Sequence, residues 1–401
     1  MALKTGLAGF LLALSLTATA AAETVVASNG EYSSMAVTGQ GDLIVVWQDA
    51  NTNPRRVYAR LYGANGGARG RAFLVREGVE TGYQQAVAAG PGGSFVIVWT
   101  ASDGDQTGIF AQRFDRRGKR VGDPIQVNRA AAGYQNSPVV DMDRDGSFVV
   151  AWLDAPLYPE VFRAQRFSAT GGREGAEIGM EIGTGYYEGP FVTVDPEGFS
   201  VAWNERAPAE DHHDRKDIVP VVARFTPDGQ PAAPVFRLFD GIEDGNGWRL
   251  RTLDSSAAGA VALFDGNRNS IQLFSPAGDP DGTRTVVGKR APCLSDRGWC
   301  EDVVATAMDS SGRFAVVWLV TRYDVPGSAN FRHELWAQLF DAAGRPLGGR
   351  VQINRDYDGL GVIGGRAAAL SDDGVLTFVW AGRRFKNPPI SDLVFRQLPL
   401  E

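Results

Sequence analysis

The amino-acid sequence predicts an all-β fold, a seven-bladed β-propeller built from four-stranded blades. Three observations lead to this prediction. The chain repeats itself about every 50 residues, each repeat contains several strand-like runs, and glycine-containing turns separate these runs. A period of about 50 residues with several short strands in each period is typical of a propeller, in which every repeat forms one blade.

Aromatic residues mark two strands in nearly every repeat. One aromatic follows a β-branched, apolar run and occurs at Trp47, Trp99, Trp152, Trp203, Phe264, Trp318 and Trp380. A second ends an alternating strand and occurs at Tyr62, Phe114, Phe167, Phe225, Phe274 and Phe340. Blades bury their faces against one another, so we interpret both sets as packing residues between blades.

The four strands of a blade can be assigned in chain order. An inner strand such as residues 138–142 is followed by a tight turn such as Asp145-Gly146, where glycine supplies a positive φ. The second strand carries the tryptophan and the third carries the second aromatic. Another glycine turn then leads to a short outer strand that ends in Val127-Asn128 or Ile353-Asn354.

The two ends of the chain complement one another. The last repeat stops after its third strand, at residues 393–398, whereas residues 23–27 form a strand that belongs to no repeat. The sequence therefore predicts that the N-terminal strand supplies the missing fourth strand of the last blade. Closing the ring in this way removes two exposed strand edges.

The chain begins with a secretory signal peptide by composition. Lys4 precedes an apolar run at residues 7–16, and the small residues up to Ala22 suit cleavage before Glu23. We therefore expect a signal peptide at residues 1–22, a single propeller domain at 23–401 and a secreted or periplasmic location. The apolar run is shorter than the ~20 residues that span a bilayer, so we expect no membrane insertion.

Charge and cysteine content narrow the possible partners. The net charge of −7 disfavours nucleic-acid binding, which requires a basic surface. In an exported protein, the isolated pair Cys293 and Cys300 indicates a disulfide, with two free thiols as the alternative. Neither a metal site nor a cofactor is predicted, and we expect a monomer.

The repeats resemble the degenerate propeller repeats of secreted bacterial proteins. The resemblance rests on three runs. Gly-x-Phe-Val-Val-x-Trp stands at residues 146–152 of the third repeat, and Phe-Ala-Gln-Arg-Phe-Asp and Gln-Val-Asn stand at residues 110–115 and 126–128 of the second. It covers nearly all of the predicted mature chain and implies a propeller. It implies no particular activity, because the patterns of the functionally characterised WD, kelch and sialidase repeats are not matched.

A Gly-aromatic step recurs where one blade leads into the next. We predict that its aromatic residues bind a ligand on one face of the propeller, by stacking on a sugar or holding a peptide: Tyr83, Tyr134, Tyr186, Trp248 and Trp299. The alternative is that each ring caps the crevice between two blades.

Three other features are weaker candidates. The polar insertion at residues 204–217 contains His212 and His213, but adjacent side chains in an extended segment point to opposite sides, so a solvated loop is favoured over a metal site. Residues 141–146 begin like a calcium loop but lack its later glutamate, which favours a plain turn. The third feature is a basic cluster that could receive an anion, or be ordinary solvated charge: Arg249, Arg251, Lys289, Arg290, Arg297, Arg383, Arg384 and Lys386.

The favoured function is a secreted or periplasmic binding scaffold that presents a loop-rich face to a protein or a glycan. The alternative is a carbohydrate-active enzyme, of the glycosidase or lyase type, with carboxylates on the same face. A purely structural role in the cell envelope ranks third. The sequence contains no nucleophile motif such as Gly-x-Ser-x-Gly and assigns no catalytic residue, so a non-enzymatic role is favoured.

Overall fold

The structure is a computed structural model in which the described part of the chain is all-β. Among these residues the single helix is a 3₁₀ turn at Pro91–Gly93, and no helix has the length and apolar content needed to cross a bilayer. The described residues are 22–28, 30–49, 51–79, 85–129, 132–155, 160–182, 187–206, 218–237, 249–256, 259–265, 268–274, 280–289, 299–323, 331–355, 357–361, 367–384 and 392–400.

The strands group into consecutive units, which we number in chain order. The first strand, β1 (Thr24–Ser28), precedes the units. Unit one contains β2 (Gly30–Val37), β3 (Leu43–Asp49), β4 (Arg55–Tyr62) and β5 (Phe73–Val79), and unit two contains β6 (Gln85–Ala89), β7 (Phe95–Ala101), β8 (Gly108–Phe114) and β9 (Arg120–Gln126). Unit three contains β10 (Tyr134–Met142), β11 (Phe148–Ala155), β12 (Val161–Phe167) and β13 (Arg173–Glu181).

The remaining units follow the same order. Unit four contains β14 (Tyr187–Asp195), β15 (Gly198–Arg206), β16 (Ile218–Phe225) and β17 (Phe236–Arg237), and unit five contains β18 (Arg249–Ser256), β19 (Gly259–Asp265), β20 (Arg268–Phe274) and β21 (Pro280–Lys289). Unit six contains β22 (Trp299–Met308), β23 (Phe314–Tyr323), β24 (Phe331–Phe340) and β25 (Pro346–Gln352). Unit seven contains β26 (Tyr357–Gly361), β27 (Ala368–Leu370), β28 (Val375–Arg384) and β29 (Asp392–Pro399).

Each unit is an antiparallel sheet, and in units one to six its strands pair in chain order. Units three to six form separate four-stranded sheets, and units one and two are joined into one sheet by the pairing of Val79 with Ala101. In unit seven, β26 and β27 both pair with β28, β28 pairs with β29, and β29 pairs with β1. The N-terminal strand therefore lies beside the last strand of the chain, with Thr24 opposite Phe395.

The marker aromatics are buried between neighbouring units. Trp99, Trp152, Trp203, Trp318 and Trp380 are at most 1% exposed. Units two, three, four and six also stack an aromatic at the start of the second strand on the one that ends the third. Their ring centroids are 4.9 Å apart for Phe95–Phe114, Phe148–Phe167 and Phe199–Phe225 and 5.2 Å apart for Phe314–Phe340. Because both members are buried, the stacks fix the twist between the two strands and fill the space beside the next unit.

The glutamine in the middle of the third strand compensates for a bulge. The register of the third and fourth strands shifts beside Gln112 in unit two and beside Gln165 in unit three. Each side-chain amide donates across the shift, from Gln112 Nε2 to the carbonyl of Gly122 at 3.1 Å and from Gln165 Nε2 to that of Glu174 at 3.0 Å. The repeated glutamine thus satisfies backbone groups that a bulge leaves unpaired.

The asparagine after the fourth strand fastens that strand to the third strand. Asn128 Oδ1 accepts a hydrogen bond from Ile109 N at 2.8 Å, and Asn354 Oδ1 accepts one from Leu335 N at 2.7 Å. Both asparagines are nearly fully buried. The Gln-Val-Asn run of the repeat is therefore a structural fastening in units two and six.

Aspartates begin the turns between the third and fourth strands. Asp341 Oδ1 accepts hydrogen bonds from Ala343 N at 3.0 Å and from Arg345 N at 2.8 Å, and Asp115 makes the equivalent bonds in unit two. The bonds from Arg345 and from Lys119 are the main reason that the pKa values of the two carboxyls lie below the ordinary 3.8. A hydrogen bond to the charged form of a carboxyl favours that form.

The first prediction concerns β1. Deleting residues 23–27 should lower the free energy of unfolding by roughly 3 kcal/mol, because it removes the buried Val26 and leaves the edge of β29 unpaired. Val26→Ala, which keeps the strand, should lower it by roughly 1–2 kcal/mol. Denaturant unfolding of the purified protein measures both, with Ser28→Ala at the exposed end of the strand as the control. Equal stability of the Val26→Ala and Ser28→Ala variants would contradict the packing of β1 on the core.

The second prediction concerns acid sensitivity. Because folding depresses the pKa of Asp341 and Asp115, their contribution to stability is present above pH 3.8 and is lost as the pH falls through the lower pKa of the folded state. We expect NMR titration midpoints below 3.8 for both carboxyls. The melting temperature of Asp341→Asn should fall less between about pH 4 and pH 2 than that of the unaltered protein. A midpoint at or above the ordinary value would overturn the assignment.

Candidate functional site

Each unit has two different edges. The first and third strands begin, and the second and fourth strands end, at one edge, which we call the loop edge. In unit three this edge brings together Tyr134, Ala155, Val161 and Glu181 through the pairing of consecutive strands. The opposite edge carries the tight turns and is called the turn edge. Connections between units and between second and third strands all leave from the loop edge, so the ligand-binding residues predicted from the sequence belong there.

Two of the predicted aromatic site residues are exposed at the loop edge. Tyr134 begins β10 and is 55% exposed, and Trp299 begins β22 and is 43% exposed. The other three, Tyr83, Tyr186 and Trp248, lie outside the described residues. Burial in a crevice between units is thus not the environment of Tyr134 or Trp299. Their assignment to a ligand site remains a prediction.

The backbone beneath Tyr134 is held firmly. Gln135 is fully buried and its Nε2 donates to Asp154 Oδ1 at 3.0 Å, while its Oε1 accepts from Asn128 Nδ2 at 3.2 Å. Its backbone N donates to the carbonyl of Thr107 in unit two at 3.1 Å. These bonds join units two and three directly below the tyrosine, so the exposed ring projects from a rigid support.

Trp299 is followed by a buried cysteine. Cys300 is 1% exposed, and Cys293 lies outside the described residues. The predicted disulfide between them remains a prediction. In the sheet of unit six, Trp299 is paired with Arg322 of β23.

Four buried carboxylates near the loop edge are engaged by partners within the protein. Asp154 accepts from Arg163 Nε and from Gln135. The other three carboxylates are bound by arginine or tryptophan side chains: Glu205 by Trp203 Nε1 at 3.1 Å, Glu301 by Arg350 Nη1 at 2.7 Å and Glu334 by Arg322 Nε at 2.8 Å. All four belong to structural networks, so none of them stands out as the acid or base of the predicted hydrolase pair.

Residues of all seven units line a common cavity. Its volume is about 110 Å³, and one residue per unit in its wall is Ser34, Ala86, Val139, Phe191, Thr252, Ala305 and Ala367. The exposed Arg251 and the carboxylates of Asp141 and Asp254 also line it. Ligand pockets usually enclose about 300–1,000 Å³, so this cavity is too small for an oligosaccharide.

A larger, acidic cavity opens at the turn edge, where the sequence predicted no site. Its volume is about 250 Å³, and its wall contains Asp141, Asp195, Asp254, Asp309 and Asp372. Three of these link one unit to the next by accepting a backbone hydrogen bond: Asp141 from Val194 N at 2.9 Å, Asp254 from Met308 N at 2.8 Å and Asp372 from Ser310 N at 2.9 Å. These contacts indicate a structural role for the aspartates.

The lowered pKa of Asp372 agrees with this structural role. Hydrogen bonds from the side chain and backbone of Ser310 hold the pKa of Asp372 below its ordinary 3.8.

The calcium-like start at residues 141–146 forms the turn between β10 and β11, closed by a hydrogen bond from Gly146 N to the carbonyl of Asp143 at 3.0 Å. Within the described ranges, no three side chains of metal-binding type come together, and His212 and His213 lie outside those ranges.

Comparison with known proteins identifies the fold but not a family. Neither a protein-family model nor a curated protein sequence matches the chain. Among solved structures, the polysaccharide lyase Uly1 gives a TM-score of 0.53 at 9% identity, covering 90% of this chain and 88% of the lyase. An α-L-arabinanase from Penicillium chrysogenum in complex with arabinobiose gives 0.46 at 13% identity, covering 94% of this chain and 98% of its own.

The Dos1 propeller gives a TM-score of 0.44 at 11% identity, covering 89% of this chain and 75% of its own. Likeness at such low identity concerns the fold alone. The consecutive antiparallel units of the described residues make this chain an all-β protein with a propeller-like fold.

The third prediction separates the exposed aromatics from the buried ones. Tyr134→Ala and Trp299→Ala should each change the free energy of unfolding by less than about 1 kcal/mol, because both rings are largely in solvent. Trp318→Ala, which empties a fully buried site in the same unit as Trp299, should cost roughly 3–5 kcal/mol. Thermal and denaturant unfolding measure the three variants side by side. A loss of several kcal/mol in both exposed-site variants would show that these rings serve packing.

Proposed function

We propose that this protein is an exported, carbohydrate-active β-propeller protein that contacts a saccharide at its loop edge. The observation that carries the proposal is the exposure of two aromatic rings, Tyr134 and Trp299, at the first position of the first strand in two different units. Aromatic rings supply large apolar faces at low entropic cost and stack on the apolar faces of sugar rings. Rings placed on strands are oriented more precisely than rings on loops.

Of the functions that the sequence leaves open, the comparison favours the carbohydrate-active one over a scaffold for protein partners. A solved structure that resembles this chain with a TM-score of 0.53 is a polysaccharide lyase. This likeness in fold supports a framework that can carry activity on polysaccharides. The four buried carboxylates described near the loop edge are bound within structural networks. The proposal therefore assigns saccharide contact to named residues and leaves catalysis unassigned.

The proposal includes a ring of seven blades, each formed by one unit. Three contacts support it: first strands of successive units touch one another, β2 of unit one touches β28 and β29 of unit seven, and residues from all seven units line the cavity of about 110 Å³. β1 then acts as the outer strand of the last blade. In such a ring all loop edges share one face, which places Tyr134 and Trp299 on the same surface, three blades apart.

Export by the N-terminal segment is also part of the proposal. Cleavage before Glu23 would leave a mature chain that starts directly at β1. Mass spectrometry of the protein recovered from the periplasm or the medium tests this, because the mature N-terminus should be Glu23.

The fourth prediction tests the proposed function. The purified mature protein should bind or cleave at least one polysaccharide in a panel of neutral and acidic glycans. Affinity electrophoresis measures binding, and the release of reducing ends and the ultraviolet absorbance of unsaturated products measure cleavage. Tyr134→Ala and Trp299→Ala should each weaken binding by about 5- to 150-fold, as the loss of an anchoring aromatic typically does. Leu74→Ala, at a 41% exposed position on the outer strand of unit one, is the control.

Two outcomes would reject the proposal. One is the absence of binding and cleavage across the panel by a protein whose melting curve shows that it is folded. The other is saccharide binding that neither aromatic variant weakens, which would place the contact elsewhere on the molecule.

A further inference from the structure

We infer that the saccharide is anionic and that a row of three exposed residues in unit six, Trp299, Arg322 and Arg332, binds its acidic group. We call these residues the acidic-sugar row. The inference rests on the proposed function, because it names the class of saccharide that the loop edge takes.

The register of the sheet places the three residues side by side. Trp299 of β22 is paired with Arg322 of β23, and Arg322 is paired with Arg332 of β24. Side chains directly opposite one another on antiparallel strands lie on the same face, with Cβ atoms about 4.5–5.5 Å apart. Trp299 is 43% exposed, and the side chains of Arg322 and Arg332 are 44% and 59% exposed. An aromatic ring and two guanidinium groups therefore form one solvent-facing strip.

A single carboxylate positions both arginines. Arg322 Nε donates to Glu334 Oε2 at 2.8 Å, and Arg332 Nη2 lies 3.3 Å from Glu334 Oε1. Glu334 is held in turn by Trp336 Nε1, which donates to Oε2 at 3.1 Å. Two cations share one anion, so this group carries a net positive charge beside the exposed tryptophan.

The residues below the row neutralise one another and do not offset this charge. Arg350 donates to Glu301 Oε2 from Nη1 at 2.7 Å and to Oε1 from Nη2 at 3.2 Å. Its guanidinium also lies 4.0 Å from the ring centroid of the buried Trp318. This bidentate, stacked pair makes the floor of the row rigid, and the row is thereby preorganised for a ligand.

The chemistry of the row matches an acidic sugar. A guanidinium group binds planar carboxylate and sulfate oxygens through paired N–H donors, and an adjacent aromatic ring stacks on the sugar ring that carries them. The corresponding position in unit three lacks the charge, because Tyr134 is paired with Ala155. We therefore assign recognition of the acidic group to unit six and neutral stacking to unit three. Uronate and sulfate share this chemistry, and the experiment below separates them.

The experiment compares matched polymers by isothermal titration calorimetry. The probes are polygalacturonate for carboxylates, dextran sulfate for sulfates and unmodified dextran as the neutral reference. The unaltered protein should bind one acidic polymer, more weakly as salt is raised. The double variant Arg322→Gln/Arg332→Gln should bind that polymer about 10- to 100-fold more weakly, since bonds to charged groups contribute most of the contact. The control is Arg345→Gln, which removes a cation that is 78% exposed at the turn edge of the same unit.

The outcomes separate this inference from the proposed function. Equal binding of acidic and neutral polymers, or acidic binding that the double variant leaves unchanged, would overturn the acidic-sugar row while the loop edge remained a saccharide site. Binding to none of the three probes by a protein that does bind another neutral glycan would likewise overturn it. If the double variant unfolds, Arg322→Lys keeps the charge but loses the paired donors, and its binding to the acidic polymer should still be weakened.

Discussion

The structure depends on burial of the second-strand tryptophans between neighbouring units. Trp152 and Trp318 are fully buried, and they lie in clusters that combine residues of two adjacent units. A single four-stranded sheet cannot cover both of its faces, so every unit relies on its neighbours for stability. This arrangement concentrates the stabilising contacts on the faces of the sheets. The loop edges contribute little to packing, and exposed aromatic and charged residues can be carried there at small cost to stability.

Several recurring polar residues also belong to this framework. Gln112 and Gln165 satisfy carbonyl groups beside bulges, Asn128 and Asn354 fasten the fourth strand to the third, and Asp254 joins unit five to unit six. A repeated polar residue in a propeller-like chain could equally mark a repeated binding site. Here the hydrogen bonds assign these residues to backbone groups that strand pairing leaves unsatisfied. Function therefore has to be sought in residues that differ between units, such as the acidic-sugar row of unit six and the neutral Tyr134–Ala155 pair of unit three.

The sequence was a good guide to the strands and a poor one to contacts across them. The period, the tryptophans and the glycine turns predicted the strand order within each unit, and the pairing of the N-terminal strand with β29 followed from counting strands. Trp299 is exposed and is not packed in a crevice between units. The recurrence of the Gly-aromatic step in the sequence could not indicate this exposure. The neighbours of Trp299 were also missed. Arg322 and Arg332 are 23 and 33 residues away along the chain, and only the register of β22, β23 and β24 brings them beside it.

The pairing of β1 with β29 also has a consequence for biosynthesis. Among the described strands, β1 comes first in the chain and its partner β29 comes last, with Thr24 opposite Phe395. During synthesis β1 therefore waits for its partner until all the other described strands have been made. Until then β1 and its Val26 are open to chaperones, proteases and other nascent chains. A truncation that removed β29 would thus also leave β1 without its partner.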